Sequence, residues 1–376
     1  MHVCFIEDTH LHGGTQIWVT EANRAFLARG AQVTILAPEG SWVIDQCSGT
    51  GARFVTYDWD AVVAQDESNM GIWTTALGEC DVAVCTVHPP RGEFHCAVFA
   101  GKCIRAAGLE THLIPKTGTI VPEYRREFYL PDESIRSSVI AIADFTRRYL
   151  IDHYRLPEEG VALVYQGVDV DRFTSSPENR EVAREIYKIP SNSAPILGSI
   201  GSLEPRKGHP VLFRAVAQLA AGPLPDVHLL VVGDGPDEEL LKDQAHTMGL
   251  DDHITFFPFT SKPNLVFERI DITVLSSLYK EGLPNVLLES MAMSVPVVST
   301  DLGGVAEIVL DGQTGYKVGV DDSGALANAI ERMWADQGFY RQMGDNARQL
   351  IIEEFDKRIQ FDRFLEHFEQ ISAQYE

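Results

Sequence analysis

The sequence predicts an α/β protein built from two Rossmann-like, doubly wound domains that face each other across a cleft. Three observations support this fold class. Short apolar segments alternate with amphipathic ones in both halves, a polar stretch interrupts the alternation once, and the 376 residues are enough for two cores of about 150–200 residues each. Strands separated by helices are typical of parallel sheets that helices cover on both faces. A ligand is then expected in the cleft, near the carboxyl ends of the strands.

The first half contains predicted strands at residues 3–6, 32–37, 81–87, 139–143 and 161–165. Their apolar and β-branched runs have the length of buried strands. Helices are predicted at residues 16–29, 96–107 and 144–154, where the spacing of apolar residues is helical. Gly30 follows the first helix, as is common where a helix ends. This half therefore predicts one domain over residues 1–173.

The second half repeats the pattern after a polar, Ser- and Pro-containing stretch at residues 174–195, which we interpret as a linker. Strands are predicted at residues 196–199, 228–232, 254–257, 272–275 and 295–299. Helices are predicted at residues 210–220 and 238–248, from Asn285 onwards, and as one long helix over 323–354. A final amphipathic helix is expected over residues 357–375. The second domain is therefore predicted over residues 195–356.

The formal net charge of −23 argues against a protein that binds nucleic acids through their phosphates, and against broad adhesion to anionic membranes. Arg125-Arg126 and Arg147-Arg148 could form a local basic patch near an acceptor, or could simply be solvated helix faces. Membrane contact is therefore expected to be peripheral at most. No run approaches the ~18 apolar residues of a membrane span. The N-terminus also lacks the basic and apolar regions of a secretory signal, and we expect a cytoplasmic protein.

Six cysteines all lie in the first third of the chain, and none forms a Cys-x-x-Cys pair. Cys4 and Cys85 fall within predicted strands. Buried, reduced thiols are therefore expected rather than a zinc site or a disulfide framework.

Two carboxylates, Glu281 and Glu289, flank a Gly-x-Pro turn that precedes a helix. Pro284 suits the first helical turn, because that position needs no N–H donor. The amides of residues 285–287 are then expected to be free to bind an anion. Glu289 lies on an apolar helix, where a carboxylate needs a hydrogen-bond partner such as the vicinal hydroxyls of a ribose. The alternative is that both are surface charges on an ordinary strand–helix unit.

Cations and glycines follow two other predicted strands. Arg206 and Lys207 come after the first strand of the second half, where they could neutralise a diphosphate. Gly13 and Gly14 follow the first strand of the chain, where backbone amides can approach a phosphate closely, although a simple turn explains them equally well. His88 ends the third predicted strand and could contact an acceptor, or serve only as a loop residue. The G-x-G-x-x-G fingerprint of dinucleotide-binding domains is absent.

Taken together, these segments resemble the family-4 retaining glycosyltransferases, whose architecture is called GT-B. The resemblance covers nearly the whole chain and is strongest at about residues 199–318. The segments that carry it are Gly13-Gly14, Gln166-Gly167-Val168-Asp169, Glu204-Pro205-Arg206-Lys207-Gly208, Val232-Gly233-Asp234-Gly235-Pro236, Glu281 to Glu289, and Gly303-Gly304-Val305-Ala306-Glu307.

The resemblance implies a role for each part of the site. Glu281 would contact the donor sugar, Glu289 would bind the ribose, and Arg206 and Lys207 would bind the diphosphate. The loop at Gly13-Gly14 would close over the same phosphates, and the C-terminal helix would pack back on the first domain. The donor contacts implied at the paired-glutamate motif are Gly282, Leu283, Asn285, Val286 and Leu287.

Three positions depart from the family pattern. Ser202 stands where an arginine is common, so Arg206 would carry more of the phosphate charge. The segment that begins at Lys116 lacks the histidine that family members often have near the donor sugar, so Lys116 or Thr117 would contact the sugar or acceptor instead. Gln166 replaces the more usual asparagine, with little expected consequence.

The predicted activity is that of a hexosyltransferase, which moves a sugar from a nucleotide-diphosphate sugar with retention of configuration. A uridine diphosphate donor is favoured because it is the commonest in the family. The acceptor would be a small molecule, a glycan or a lipid-linked group. Neither a cofactor nor a metal is expected. Two other functions remain open: a sugar-nucleotide epimerase of the same architecture, and a non-catalytic module that binds nucleotide-sugars.

Overall fold

The computed structural model describes residues 1–11, 13–64, 66–87, 94–118 and 124–374. The chain divides into two compact units. The first consists of Met1–Tyr165 together with Arg358–Glu376, and the second is Gln166–Lys357. Each unit has its own parallel sheet with helices packed on it. The predicted fold class of two Rossmann-like domains is therefore confirmed, whereas the cleft between them stays a prediction.

The sheet of the first unit has seven strands in the order β3-β2-β1-β4-β5-β6-β7. All neighbouring strands are parallel. The strands are β1 (His2–Ile6), β2 (Gln32–Pro38), β3 (Arg53–Tyr57), β4 (Val82–Val87), β5 (His112–Thr117), β6 (Val139–Ala141) and β7 (Val161–Leu163).

Helices cover both faces of this sheet. They are α1 (Gly14–Ala28), α2 (Trp42–Cys47), α3 (Trp59–Val63), α4 (Ser68–Gly78), α5 (Cys96–Ala107), α6 (Asp144–Tyr154) and the C-terminal α15 (Lys357–Ala373). On one face, Phe364 and Phe368 of α15 share an apolar core with Phe5, Trp18 and Phe26. All six cysteines are free and buried, as predicted.

The sheet of the second unit has six strands in the order β10-β9-β8-β11-β12-β13, again all parallel. The strands are β8 (Ile196–Ile200), β9 (His228–Val232), β10 (Ile254–Phe257), β11 (Ile272–Leu275), β12 (Val297–Thr300) and β13 (Gly315–Val318). The helices are α7 (Pro177–Ile186), α8 (His209–Ala220), α9 (Glu238–Thr247), α10 (Pro263–Phe267), α11 (Asn285–Ala292), α12 (Val305–Ile308), α13 (Ser323–Ala335) and α14 (Gln337–Glu354).

Two predictions about the second half are wrong. The stretch interpreted as a linker contains α7, because the Ser176 hydroxyl accepts a hydrogen bond from the Asn179 amide and so caps the helix that begins at Pro177. The single long helix predicted over residues 323–354 is two helices. Asp336 is extended between them, and its carboxylate accepts hydrogen bonds from the amides of Gly338 and Phe339 to start α14.

Within the described residues, no helix combines the length and the apolar character that crossing a membrane requires.

Candidate functional site

Glu281, Arg206 and Lys207 meet at the carboxyl edge of the second unit's sheet. The two cations follow β8, and Glu281 lies in the loop after the neighbouring strand β11. One oxygen of Glu281, Oε1, accepts hydrogen bonds from Lys207 Nζ at 2.6 Å, from Arg206 Nη1 at 3.2 Å and from Ser277 Oγ at 2.6 Å. The side chain of Glu281 is only 8% exposed, so this carboxylate is largely shielded from water and its ion pairs are stronger than surface pairs.

Sequence reasoning missed two groups that belong to this cluster. Ser277 is the third donor to Glu281, and Glu204 is a second carboxylate that accepts from Arg206 Nε at 2.7 Å. Burial raises the pKa of Glu204, but the hydrogen bond from Ser202 and the charge of Arg206 outweigh this effect, so the pKa lies below its ordinary value. The signal in the sequence was the spacing of Glu204 and Arg206, two residues apart in a Pro-containing turn.

The turn Pro205–Lys207, here called the cationic turn, is fixed beside β11 by close backbone contacts. Gly208 has a φ of +65°, and a Cβ there would lie 2.1 Å from the Ser276 carbonyl oxygen. The Leu278 amide donates to the Arg206 carbonyl at 2.7 Å, and Ser276 Oγ donates to the Lys207 carbonyl at 2.9 Å. Only glycine permits this approach, so Gly208 determines where the two cations stand.

Glycines also permit close backbone contacts in the loop after β9 and in the loop after β12. A Cβ on Gly233 would lie 1.9 Å from the Gly201 carbonyl, and one on Gly235 would lie 2.2 Å from the Leu203 carbonyl. Gly303, at a φ of +63°, packs against Glu281, whose carbonyl would lie 2.1 Å from an added Cβ. These glycines therefore allow the loops around the site to pack closely on one another.

A capping role for Asp234, in the turn at residues 233–236, would be expected from its place before α9, but Asp234 does not cap that helix. The carboxylate of Asp234 instead accepts a hydrogen bond from the Phe259 amide at 2.9 Å, and Asp237 occupies the N-cap position of α9.

The start of α11 differs from the prediction at one amide. Pro284 is the N-cap, and α11 begins at Asn285. The Leu287 amide was predicted to be free, but it donates to the Pro284 carbonyl at 3.1 Å because the first turn is tightened. Among the described residues, the amides of Asn285 and Val286 donate to no backbone carbonyl, so both can donate to an anion.

Gly282 and Leu283, which precede this helix, are buried. The Gly282 carbonyl accepts from the Gly304 amide at 2.8 Å, so both residues of the double-glycine segment pack on the loop that carries Glu281.

Glu289 is half-buried and lines a cavity of about 450 Å³ in the same unit. Burial raises the pKa of its carboxyl from 4.5 to about 7, although the positive charges of Arg172 and Lys357 act in the opposite direction. Other residues that line the cavity are Gly201, Ser202, Gly233, Phe259, Thr260 and Pro263. A carboxylate at the side of a cavity of this size can accept hydrogen bonds from the hydroxyls of a small polar ligand.

The remaining predicted residues belong to the first unit. Gly13 is extended at the N-cap of α1, and Gly14 is the first residue of that helix. Lys116 and Thr117 end β5, and both are buried. The Lys116 amine lies over the ring of Trp18 at 4.2 Å from its centroid, and burial lowers its pKa from 10.5 to about 7. His88 lies outside the described residues. The proposed ligand contacts of these five residues stay predictions.

Comparison with known proteins agrees with this geometry. Residues 179–350 match the family model described as "Glycosyl transferases group 1". This range holds the cationic turn, Glu281 and Glu289. The matched range covers most of the second unit and just under half of the chain.

Two curated proteins illustrate the similarity. A GDP-mannose-dependent alpha-(1-6)-phosphatidylinositol monomannoside mannosyltransferase of Mycolicibacterium smegmatis is 32% identical over 60% of this chain and 61% of its own length. The phosphatidyl-myo-inositol mannosyltransferase of Mycobacterium leprae is 28% identical over 85% of this chain and 83% of its own. The chain thus spans less than two thirds of the first of these relatives.

A solved structure, that of Anabaena HepE in complex with UDP, shares the fold. Its TM-score is 0.84 at 19% identity, over 98% of this chain and all of that one.

Proposed function

We propose that the protein is a retaining glycosyltransferase that moves a hexose from a nucleotide-diphosphate sugar to an acceptor. The observation that carries the proposal is the cluster in which Arg206, Lys207 and Ser277 hold Glu281, in the same unit as the cavity lined by Glu289. The match of residues 179–350 to a glycosyltransferase family supports it.

The cations would stabilise the leaving group. As the bond between the sugar and the diphosphate breaks, negative charge develops on the departing phosphate oxygen. Arg206 and Lys207 are fixed in position before the reaction, and the amides of Asn285 and Val286 can add two more donors. Preorganised donors of this kind typically contribute about 10²–10³-fold each to the rate.

Glu281 would orient the donor sugar. All its described contacts fall on Oε1, so Oε2 remains to accept a hydrogen bond from a sugar hydroxyl. We propose front-face attack: the acceptor oxygen bonds to the anomeric carbon on the side from which the diphosphate leaves. The proton of the acceptor hydroxyl passes to the departing phosphate oxygen. The mechanism requires no metal, because the cations and amides carry the charge.

The M. smegmatis relative is named as GDP-mannose-dependent, and the Anabaena structure contains UDP. UDP- and GDP-sugars are therefore the first donors to test. The names of both curated relatives contain phosphatidylinositol or phosphatidyl-myo-inositol, which makes a lipid-linked acceptor one candidate here, beside a small molecule or a glycan.

A donor panel tests the proposal. UDP-, GDP- and ADP-sugars are screened for a rise in melting temperature, and those that bind are assayed for sugar transfer and for hydrolysis. We expect one nucleotide class to stabilise the protein, and Glu281→Gln and Lys207→Ala to reduce turnover about 100-fold or more. The exposed residues Glu331 and Lys188 provide the matched controls Glu331→Gln and Lys188→Ala. Wild-type turnover in both site variants would refute the proposed roles. Conversion of the donor to its epimer without an acceptor would favour an epimerase.

A further inference from the structure

Glu204 holds one edge of the Arg206 guanidinium. Its Oε1 accepts from Arg206 Nε at 2.7 Å and from Ser202 Oγ at 2.5 Å. The side chains of Glu204 and Arg206 are 33% and 27% exposed, so both lie partly within the protein surface. The hydrogen bond from Ser202 therefore helps to orient the Glu204 carboxylate, and that carboxylate in turn orients the Arg206 guanidinium.

The backbone around these residues is fixed as well. Residues Pro205–Lys207 form a short 3₁₀ turn, in which the Lys207 amide donates to the Glu204 carbonyl at 3.0 Å. Leu203 is tied to the neighbouring loop at both of its backbone groups. Its amide donates to the Asp234 carbonyl at 2.9 Å, and its carbonyl accepts from the Asp237 amide at 3.0 Å. The carboxylate of Glu204 is thus presented by a backbone that has little freedom to move.

The guanidinium is consequently held on two sides. Nε faces Glu204, while Nη1 faces Glu281 at 3.2 Å. Arginine has five N–H donors in a rigid planar fork. Among the described residues, Nη2 makes no hydrogen bond, so the held fork still presents donors to an incoming anion. Without Glu204, only the longer contact to Glu281 would orient the group.

We propose that Glu204, supported by Ser202, is a positioning residue that aims Arg206 at the diphosphate of the donor. This inference rests on the proposed function. It assigns a role to Glu204 and Ser202, two residues outside the paired-glutamate motif. The opposite role is that Glu204 competes with the diphosphate for Arg206, in which case its removal would strengthen binding.

The test compares ligands with and without phosphates. Calorimetry measures the affinity of wild type, Glu204→Ala, Glu204→Gln and Ser202→Ala for UDP and GDP and for uridine and guanosine. We expect Glu204→Ala to weaken binding of the preferred nucleoside diphosphate about tenfold, because a hydrogen bond to a charged group is lost. Binding of the matching nucleoside should not change. Glu204→Gln keeps an acceptor for Arg206 Nε, so its affinity for the diphosphate should lie between those of wild type and Glu204→Ala. Ser202→Ala should weaken diphosphate binding less than Glu204→Ala does.

Kinetics and a double-mutant cycle sharpen the test. For sugar transfer, Glu204→Ala should raise the KM for the donor and lower kcat, with the KM for the acceptor unchanged. In the Arg206→Ala background, adding Glu204→Ala should have little further effect, because Glu204 acts through Arg206. Glu331→Ala, on the exposed surface of α13, is the control.

Three results would overturn the inference: tighter diphosphate binding by Glu204→Ala, no change, or an equal loss of nucleoside and diphosphate binding. If wild type binds UDP or GDP and Glu204→Ala behaves like it, only this inference fails. If wild type neither binds a nucleoside diphosphate nor transfers a sugar, the proposed function fails as well.

Discussion

Replacing Lys116 by methionine measures how strongly a buried amine destabilises the first unit. Lys116 is 4% exposed in β5, and its amine lies over the Trp18 ring. Burial lowers its pKa from 10.5 to about 7, because the charged form is poorly solvated there. The unfolded chain therefore binds this proton below pH 10.5, whereas the folded chain binds it only below about pH 7.

The sign of the effect follows from these two values. Between pH 7 and pH 10.5 the unfolded state holds more protons, so stability rises with pH by about 1.4 kcal/mol per pH unit from this group. The full penalty, about 5 kcal/mol, is present below pH 7 and is absent above pH 10.5. Methionine has a similar length and no charge. The advantage of Lys116→Met should therefore shrink by about 3 kcal/mol between pH 7.5 and pH 10.

Urea denaturation followed by tryptophan fluorescence is a suitable assay, because four of the five tryptophans lie in the first unit. The free energies of unfolding of wild type and Lys116→Met are compared at several pH values in this range. Lys116→Met also loses the cation–π contact with Trp18, which lowers its free energy of unfolding by about 1 kcal/mol at neutral pH. The decisive quantity is therefore how the difference in unfolding free energy between the two proteins varies with pH. Lys102→Met, at an exposed position of α5, is the control. A difference that does not vary with pH would refute the reasoning.

Three further outcomes are expected. Because the pKa of Glu289 is about 7, its carboxyl group loses its proton as the pH rises from 6 to 8. Calorimetry should show that the affinity of wild type for a nucleoside diphosphate increases over this range, whereas that of Glu289→Gln does not. A flat wild-type profile would contradict this. Gly303→Ala should destabilise the second unit by about 3 kcal/mol or more in urea, because the added Cβ would lie 2.1 Å from the Glu281 carbonyl. Gly249→Ala, with a similar φ and nothing nearby, should cost about 1 kcal/mol; equal losses would refute the steric argument. Sugar transfer should persist after dialysis against EDTA, and restoration of lost activity by Mg²⁺ or Mn²⁺ would disprove the metal-independent mechanism.

The sequence predicted the central strands well, because buried parallel strands are continuous apolar runs. The central strands His228–Val232 and Ile272–Leu275 have the predicted bounds, and so does the edge strand Ile254–Phe257. Two strands of the first unit were missed for opposite reasons. Edge strand Arg53–Tyr57 is partly exposed and correspondingly polar. Strand His112–Thr117 is central but contains a proline and a lysine, which sequence rules assign to edges or loops.

The candidate site was predicted in part. Glu281, Arg206 and Lys207 come together because adjacent parallel strands end at the same edge, a property that can be inferred from sequence. The spacing of Glu204 and Arg206 suggests that they lie near each other, but their hydrogen bond depends on the 3₁₀ turn and on side-chain rotamers. The contact of Ser277 with Glu281 depends on rotamers alone, which no pattern of residue types specifies. The hydrogen bond from the Leu287 amide to the Pro284 carbonyl depends on the exact backbone geometry of the first turn of α11, which the sequence does not specify.

Because the first unit contains both ends of the chain, the second is an insertion within it. The phenylalanines of α15 share a core with Phe5 of β1, although more than 350 residues separate them. During synthesis the second unit can fold once residues 166–357 have left the ribosome, whereas the first must wait for residues 358–376 as well. A nascent chain arrested just before α15 should thus expose an unfinished apolar surface that chaperones recognise.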